Sequence, residues 1–287
     1  MIVYLNGKYM PAEDARISPF DRGFLFGDGI YEVTPSYGGR MVGFELHLQR
    51  MKNGLKEIGF TDEVLSDREW RDIAENLIER NGRENLGIYF QISRGDEGRR
   101  FHGFPADTRP TVFGMVIEID PHPETPDRGS KLGLKVHVEE DMRWRRCHVK
   151  STALLGNVLH FQRSYEQGQN ETILYNTRGE LTEASQSNVF IVKDGVVITP
   201  PLDNQILPGI SRHITLASLH ADGSIPVEER VVTLAEVRNA DEIWITNSSK
   251  HIAPVVELDG EPVGDGKVGE IWERAMGIYE ASKYDFA

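Results

Sequence analysis

The chain has 287 residues, 45 of them acidic and 32 basic, for a formal charge of −13, a sign that repels phosphate backbones and anionic membranes and sets aside nucleic acid and membrane as partners. Apolar residues make up 39% and no run approaches the roughly 20 residues a membrane span needs, while the length suggests two domains at roughly 150 residues each. The single cysteine, Cys147, permits no internal disulfide and the first seven residues are too soon interrupted for a signal peptide, so a reducing cytoplasm is the expected compartment.

From the N-terminus, Ile2 to Leu5 meets Asn6-Gly7, a dipeptide suited to a tight hairpin turn, and Tyr9 follows. A second apolar run, Ile30 to Tyr37, turns at Gly38-Gly39 into Met41 to Phe44. From Phe44 the spacing becomes helical, with Leu48, Met51, Leu55 and Ile58 recurring before Gly59, and this places Arg50 on a helix. Ser66-Asp67-Arg68-Glu69 reads as a capping box, with Leu65 and Trp70 as its staple, opening a helix that stops at Asn81-Gly82. Strands are expected over Gly87 to Ser93 and Thr111 to Ile119. Pro121, Pro123 and Pro126 mark a linker, which divides the chain into a small α/β domain over 1–120, a linker over 121–129 and a large domain over 130–287.

Beyond the linker, Lys131 to Glu139 alternates like a strand and Thr152 to Gln167 has helical periodicity. Glu171 to Tyr175, Asn188 to Val192 and Val196 to Thr199 are strand-like, the last two joined by Asp194-Gly195. Ser211 to Leu219 reads as a helix, Thr233-Leu234-Ala235-Glu236 as a second capping box, and Glu242 to Thr246 as a buried strand. A last hairpin turns at Asp259-Gly260, and Val268 to Ser282 closes the chain as an amphipathic helix. Strands and helices mix without a strict βαβ alternation, so the fold class is α+β rather than a doubly wound sheet.

Gly264-Asp265-Gly266-Lys267-Val268-Gly269 fits G-x-G-x-x-G, but the few residues after it leave no room for the rest of a dinucleotide-binding unit, and it reads as a turn. The nine histidines lack ligand spacing, and no P-loop, H-E-x-x-H or G-x-S-x-G occurs, so no metal site is expected. Three segments are harder to explain as packing. Asp21 to Val33 crowds three glycines and two aspartates ahead of Tyr31. Arg143-Trp144-Arg145-Arg146 concentrates positive charge just before Lys150. Glu183 to Phe190 sets a carboxylate among small polar residues between strands.

In their order and spacing these segments resemble the pyridoxal 5'-phosphate (PLP) aminotransferases of the D-amino-acid and branched-chain type, fold type IV, a family that includes aminodeoxychorismate lyase. The match runs nearly end to end: Asp21-Arg22-Gly23 with Phe26-Gly27-Asp28-Gly29, Tyr31-Glu32-Val33, the helix with His47 and Arg50, Arg143-Trp144 with Arg146-Cys147 and Lys150-Ser151, Leu154-Leu155-Gly156, Thr182-Glu183 with Ser187-Asn188-Val189-Phe190, and Gly209-Ile210. It is closest to the D-amino-acid branch and implies that branch's two-domain fold.

The resemblance also implies roles. Lys150 matches the Schiff-base lysine, whose amine once freed moves a proton. Glu183 matches the carboxylate that pairs with the pyridine nitrogen. Arg50, Ile210, Ser211, Asn247 and Ser248 match the phosphate contacts, although the branch usually has hydroxyl residues in place of Asn247. Leu207 matches the residue packed on the ring. Tyr31, Val33, Arg100 and His102 match the substrate contacts; the loop from Gly95 to Pro105 is one residue longer than the branch's pattern, so Arg99 is an alternative to Arg100, and Pro35 stands where lysine is common. The implied activity is ping-pong transamination between a D-amino acid, such as D-alanine or D-glutamate, and a 2-oxo acid by a homodimer. The alternatives are a branched-chain L-aminotransferase, an (R)-amine transaminase and aminodeoxychorismate lyase.

Overall fold

The structure is a computed structural model that describes residues 1–82, 84–120, 128 and 133–286. The chain divides into two compact units: one holds the described residues of Met1–Pro121 with Val149–Leu154, the other those of His122–His148 and Leu155–Asp285. The linker at 121–129 lies outside the described residues apart from Arg128.

The first unit contains β1 (Ile2–Leu5), β2 (Lys8–Pro11), α1 (Arg22–Phe26), β3 (Gly29–Tyr37), β4 (Arg40–Met41), α2 (Phe44–Glu57), α3 (Asp67–Asn81), β5 (Asn85–Ser93) and β6 (Thr111–Glu118). Its strands form one antiparallel sheet in the order β2-β1-β6-β5-β3-β4. Asn6 and Gly7 both take positive φ, 48° and 90°, which gives the expected hairpin turn. The period-two alternation of β3 sends Ile30, Glu32 and Thr34 into the interior and leaves Tyr31 and Val33 half-buried on the opposite face. The core beneath the sheet joins Ile30, Ile88 and Phe90 to Leu48 and Met51 of α2 and to Trp70 and Leu77 of α3. The capping box at Ser66 and Glu69 forms as expected.

Two local departures have physical causes. Where the sequence suggests a tight turn ahead of Tyr31, there is a one-turn helix, α1, too short to show a period. The Asp21 side chain caps it by accepting from Gly23 N–H at 2.8 Å, and also accepts from Ser93 Oγ and Thr111 Oγ1. Asp28 is equally structural, pairing with Arg22 at 2.7 Å and Arg94 at 2.9 Å. The expected second arm, Met41 to Phe44, is a strand for only two residues, because Phe44 already opens α2.

The second unit contains β7 (Leu134–Glu140), α4 (Leu155–Glu166), β8 (Glu171–Tyr175), β9 (Leu181–Ala184), β10 (Asn188–Lys193), β11 (Val196–Thr199), α5 (Ile210–Asp222), β12 (Val227–Glu229), α6 (Leu234–Arg238), β13 (Glu242–Asn247), β14 (His251–Leu258), β15 (Glu261–Pro262) and α7 (Glu270–Ser282). A mixed sheet runs β12-β11-β10-β13-β14-β7-β8-β9, with β15 paired to β14. Ile191, Ile243, Val255 and Val136 lie in its core, and both Asp194-Gly195 and Asp259-Gly260 make positive-φ turns. The segment Gly264 to Gly269 is a turn leading into α7, as its spacing allows. No helix among the described residues is long and apolar enough to cross a membrane.

Helical periodicity from Thr152 gives way to a helix that starts at Leu155. Ser151 forms a bridge with Ile30, and Thr152 N–H donates to Gly29 C=O at 3.0 Å while its hydroxyl donates to Gly27 C=O at 3.0 Å. These bonds hold Val149–Leu154 as a bent, non-helical run against the start of β3, in the first unit, although the sequence assigns Lys150 to the domain after the linker.

The close approach at β3 generates a prediction. A Cβ on Gly29 would lie 2.5 Å from the Ile92 carbonyl oxygen, so Gly29→Ala should destabilise by about 1–3 kcal/mol or more through overpacking. Ser66→Ala removes one cap and should cost about 1 kcal/mol. Urea unfolding of both variants would reverse this ranking only if the β3–β5 backbone could separate.

Candidate active site

Lys150 sits in the bent segment beside β3. Its carbonyl accepts from Tyr31 N–H at 3.0 Å, and its Nζ lies 4.2 Å from the Tyr31 ring centroid. Tyr31 in turn stacks on Tyr89 at 5.7 Å, and the Tyr89 hydroxyl donates to Gln91 Oε1 at 2.7 Å. Strand pairing of β3 with β5 produces this row: Tyr31 lies opposite Gln91 and Val33 opposite Tyr89, so Tyr31 and Tyr89 share a face and meet on the diagonal. Val33 follows two residues on, on the Tyr31 face.

On the interior face of the same strand, Glu32 is bound from two positions one helical turn apart on α2. Arg50 donates Nε and a terminal nitrogen to its two oxygens at 2.7 and 2.8 Å, and His47 Nδ1–H donates at 2.8 Å. Burial raises the Glu32 carboxyl, but the charge of Arg50 and the bonds from Arg50 and His47 outweigh it and hold it well below the usual carboxylate range. His47 is pushed down by burial, with the Arg50 and Lys150 charges adding to the fall, so it sits neutral with its proton on Nδ1. Arg50, expected at the phosphate, is therefore a cation whose fork is held rigid by Glu32.

In the second unit, the turn after β7 brings Arg143 onto two acids. It donates to Asp141 at 3.0 and 2.8 Å and to Glu183 Oε1 at 2.7 Å. Glu183, on β9, is 4% exposed, and its Oε2 accepts from Asn188 Nδ2 at 3.1 Å and from the Leu207 N–H at 3.0 Å. One buried cation thus faces two buried acids. Asp141 is raised by burial and lowered more by Arg143, and ends below its ordinary value. Burial pushes Glu183 up to about 7 against the pull of Arg143. Arg143 itself is disfavoured by burial, but Glu183 and Asp141 hold it firmly charged. The cluster is one positive charge short of balance, and Glu183 carries the deficit. A carboxylate offers about four lone-pair sites, and three donors leave one for a further N–H.

Leu207 contributes through its backbone: its carbonyl accepts from Asn188 Nδ2 at 2.9 Å while its N–H serves Glu183. Two residues later Gly209 precedes α5, which has no side-chain cap, so the N–H groups at Ile210 and Ser211 face outward from the helix start. A Cβ at Gly209 would fall 2.0 Å from Asn188 Oδ1, so the approach of these two segments needs glycine. Asn247 ends β13, and Ser248 lies in the turn that follows.

Arg100 and His102 are exposed and share one support. The Arg100 guanidinium lies 5.1 Å from the Phe26 ring centroid, and the His102 ring also lies 5.1 Å from it. Arg99 is committed elsewhere, donating to Glu97 at 2.9 and 2.8 Å. No hydrogen bond or ring contact among the described residues joins Arg100 or His102 to Tyr31. Sequence reasoning assigns no role to Glu32, His47, Arg143 and Asn188, although the segments that carry the resemblance contain them, and it leaves out Asp141 altogether.

PLP suits this donor set. The charge deficit at Glu183 matches a protonated ring nitrogen, and the uncapped start of α5 matches a phosphate. The sequence pattern described as "Amino-transferase class IV" matches residues 29–258. A D-alanine aminotransferase of Staphylococcus aureus is 38% identical over 279 residues, 97% of this chain and 96% of that one. A D-alanine aminotransferase of Listeria monocytogenes serotype 4b is 37% identical, covering 94% of this chain and 92% of that one. Among solved structures, the branched-chain aminotransferase of Thermoproteus uzoniensis with norvaline superposes with a TM-score of 0.82 at 25% identity over 99% of this chain and 95% of that one. A hypothetical aminotransferase from Mycobacterium tuberculosis, in its PLP-bound form, gives a TM-score of 0.81 at 22% identity over 98% of each chain. The chain belongs to the class IV aminotransferases.

Proposed function

We propose that the protein is a PLP-dependent D-amino-acid transaminase, moving an amino group from a donor of the D-alanine or D-glutamate type to a 2-oxo acid in two half-reactions. The buried charge deficit at Glu183 carries the cofactor part of this reading, and the near full-length likeness to D-alanine aminotransferases carries the substrate part. When bound, PLP supplies an aldehyde for the amino group and a ring that withdraws electrons from the donor Cα.

Lys150 would hold the cofactor through its Nζ amine, and that amine would move the proton at the donor Cα. Glu183, oriented by Arg143, Asn188 and Leu207, would keep a bound pyridine nitrogen protonated, with the Leu207 side chain beside the ring. Arg50 and the N–H groups at Ile210, Ser211, Asn247 and Ser248 hold the phosphate. Tyr31, Val33, Arg100 and His102 orient the donor. Arg100 is preferred to Arg99 as the carboxylate contact because Glu97 already occupies the Arg99 fork. The working form is a homodimer in the cytoplasm. Exposed Phe24 (76%) in the first unit, and Met142 (75%) and Leu155 (71%) in the second, support a partner copy.

Three outcomes test this reading. Lys150→Ala should lose turnover by on the order of a thousandfold or more, and borohydride should fix PLP to the Lys150 peptide of the parent; label on another lysine would overturn the assignment.

Glu183→Gln should slow α-proton removal by on the order of tens to thousands-fold, read as a slower half-reaction with D-alanine. The same change has a signature in the apo-protein. A carboxyl raised in the fold stabilises it most below its unfolded value, and that contribution is lost as pH rises through about 7. Urea unfolding between pH 4.5 and 7 should therefore show the parent losing on the order of 3 kcal/mol relative to Glu183→Gln. Parallel pH profiles would mean that Glu183 is not strained by burial.

Finally, D-alanine and D-glutamate should exceed their L-forms as donors. Arg100→Ala should lower kcat/KM for D-alanine at least tenfold more than for (R)-1-phenylethylamine, which has no carboxylate, by losing a contact worth roughly 1.5–3 kcal/mol. A preference for L-leucine would instead identify a branched-chain enzyme, and a loss confined to Arg99→Ala would move the contact by one residue.

A further inference from the structure

Ser187 and Asn188 are adjacent yet serve different buried acids. Asn188 holds Glu183; Ser187 donates its hydroxyl to Glu171 Oε2 at 3.2 Å. Glu171 opens β8, is 1% exposed, and makes no ion pair among the described residues. Its other oxygen accepts from the Ser185 hydroxyl and, at 3.0 Å, from Thr172 N–H. Each of these hydrogen-bond partners donates to it; burial raises the carboxyl above its ordinary value, and these bonds and the Lys250 charge pull it back. No step assigned above uses it, and burying an acid without a paired cation is costly.

The chain of bonds continues outward from Ser187. With its one proton given to Glu171, Ser187 Oγ accepts, and the group it accepts from is Asn247 Nδ2 at 2.9 Å. The two ends of an amide are unlike, so the Oδ1 end of Asn247 is left for the turn. There it receives Ser249 N–H at 3.1 Å, Ser249 Oγ at 3.1 Å and Lys250 N–H at 2.8 Å. Three donors converge where only an acceptor fits. The direction of hydrogen bonding chosen at Glu171 is thus transmitted through one hydroxyl and one amide to the turn that carries Ser248.

We propose that Glu171 is a positioning residue for the cofactor's phosphate: by fixing the proton of Ser187 it fixes which end of the Asn247 amide caps the turn, and so holds the backbone at Ser248 in place. The proposal rests on the assignment of Asn247 and Ser248 as phosphate contacts. A carboxamide at 171 must turn an NH2 group toward one of three donors, which disturbs the first link, and alanine at 187 removes the second.

The test compares PLP with pyridoxal, which has the same aldehyde and ring and no phosphate, by absorbance titration of the apo-protein. Glu171→Gln should weaken PLP binding roughly five- to tenfold, the effect of about one hydrogen bond, while pyridoxal affinity stays within about twofold. Ser187→Ala should do the same and serves if Glu171→Gln does not fold. In an Asn247→Ala background the effect of Glu171→Gln on PLP should vanish, because the link it acts through is gone. Equal weakening of both ligands, parental PLP affinity in both variants, or an undiminished effect in the Asn247→Ala background would overturn the proposal and leave the transaminase reading standing. Failure of the parent to bind either ligand would overturn both.

Discussion

A carboxylate taken out of water must have its charge or its lone pairs answered, and the placement of the reactive groups in this chain follows from how three buried glutamates meet that demand. Glu32 is answered fully by a guanidinium fork and an imidazole, and the result is a rigid Arg50. Glu171 is answered by hydroxyl and backbone donors with a further pull from the Lys250 charge, and the result is a directed chain of hydrogen bonds. Glu183 is answered only in part, since Arg143 is shared with Asp141. An incomplete answer is a cost in the apo-protein and an affinity for whatever brings the missing N–H. The same residue type thus anchors, transmits or attracts, according to what its neighbours leave unpaired.

Features set by near neighbours in sequence were legible without coordinates. The Asn6-Gly7 and Asp194-Gly195 turns need only two residues in positive φ, and the boxes at Ser66 and Thr233 need only a hydroxyl and a glutamate three apart. Periodicity also placed Arg50 on α2. It failed where distant partners override local preference. Thr152 has helical neighbours but is drawn into a non-helical bend by carbonyls more than a hundred residues earlier. The five residues of α1 are fewer than a period can reveal, and its formation depends on Asp21, whose own acceptors are filled by Ser93 and Thr111.

The site divides along the same line. Lys150 and Glu183 stand in segments whose order and spacing already resemble a family, so their numbers could be read directly, although their surroundings could not. Arg143 was visible in a cationic run and in a resembling segment, without a role; its neighbours Arg145 and Arg146 are exposed, and nothing local marks it as the one that turns inward to acids 2 and 40 residues away. Glu32 stood in a segment that resembles the family but without a role of its own, and Glu171 looked like an ordinary strand glutamate. What distinguishes them is which face of the strand they occupy and what a separate element presents to that face, and a single strand does not encode either.

The placement of Val149–Leu154 bears on how this protein can be taken apart. A cut in the proline-rich segment after residue 120 would look like a cut between domains, but the first fragment would lack the segment that pairs with Tyr31 and caps the Gly27 and Gly29 carbonyls. The second fragment would keep Lys150 covalently and lose the strand that orders it. Lys150 is therefore owned by one half through its peptide bonds and by the other through its hydrogen bonds, and neither half is a self-contained module for recombination or for separate expression.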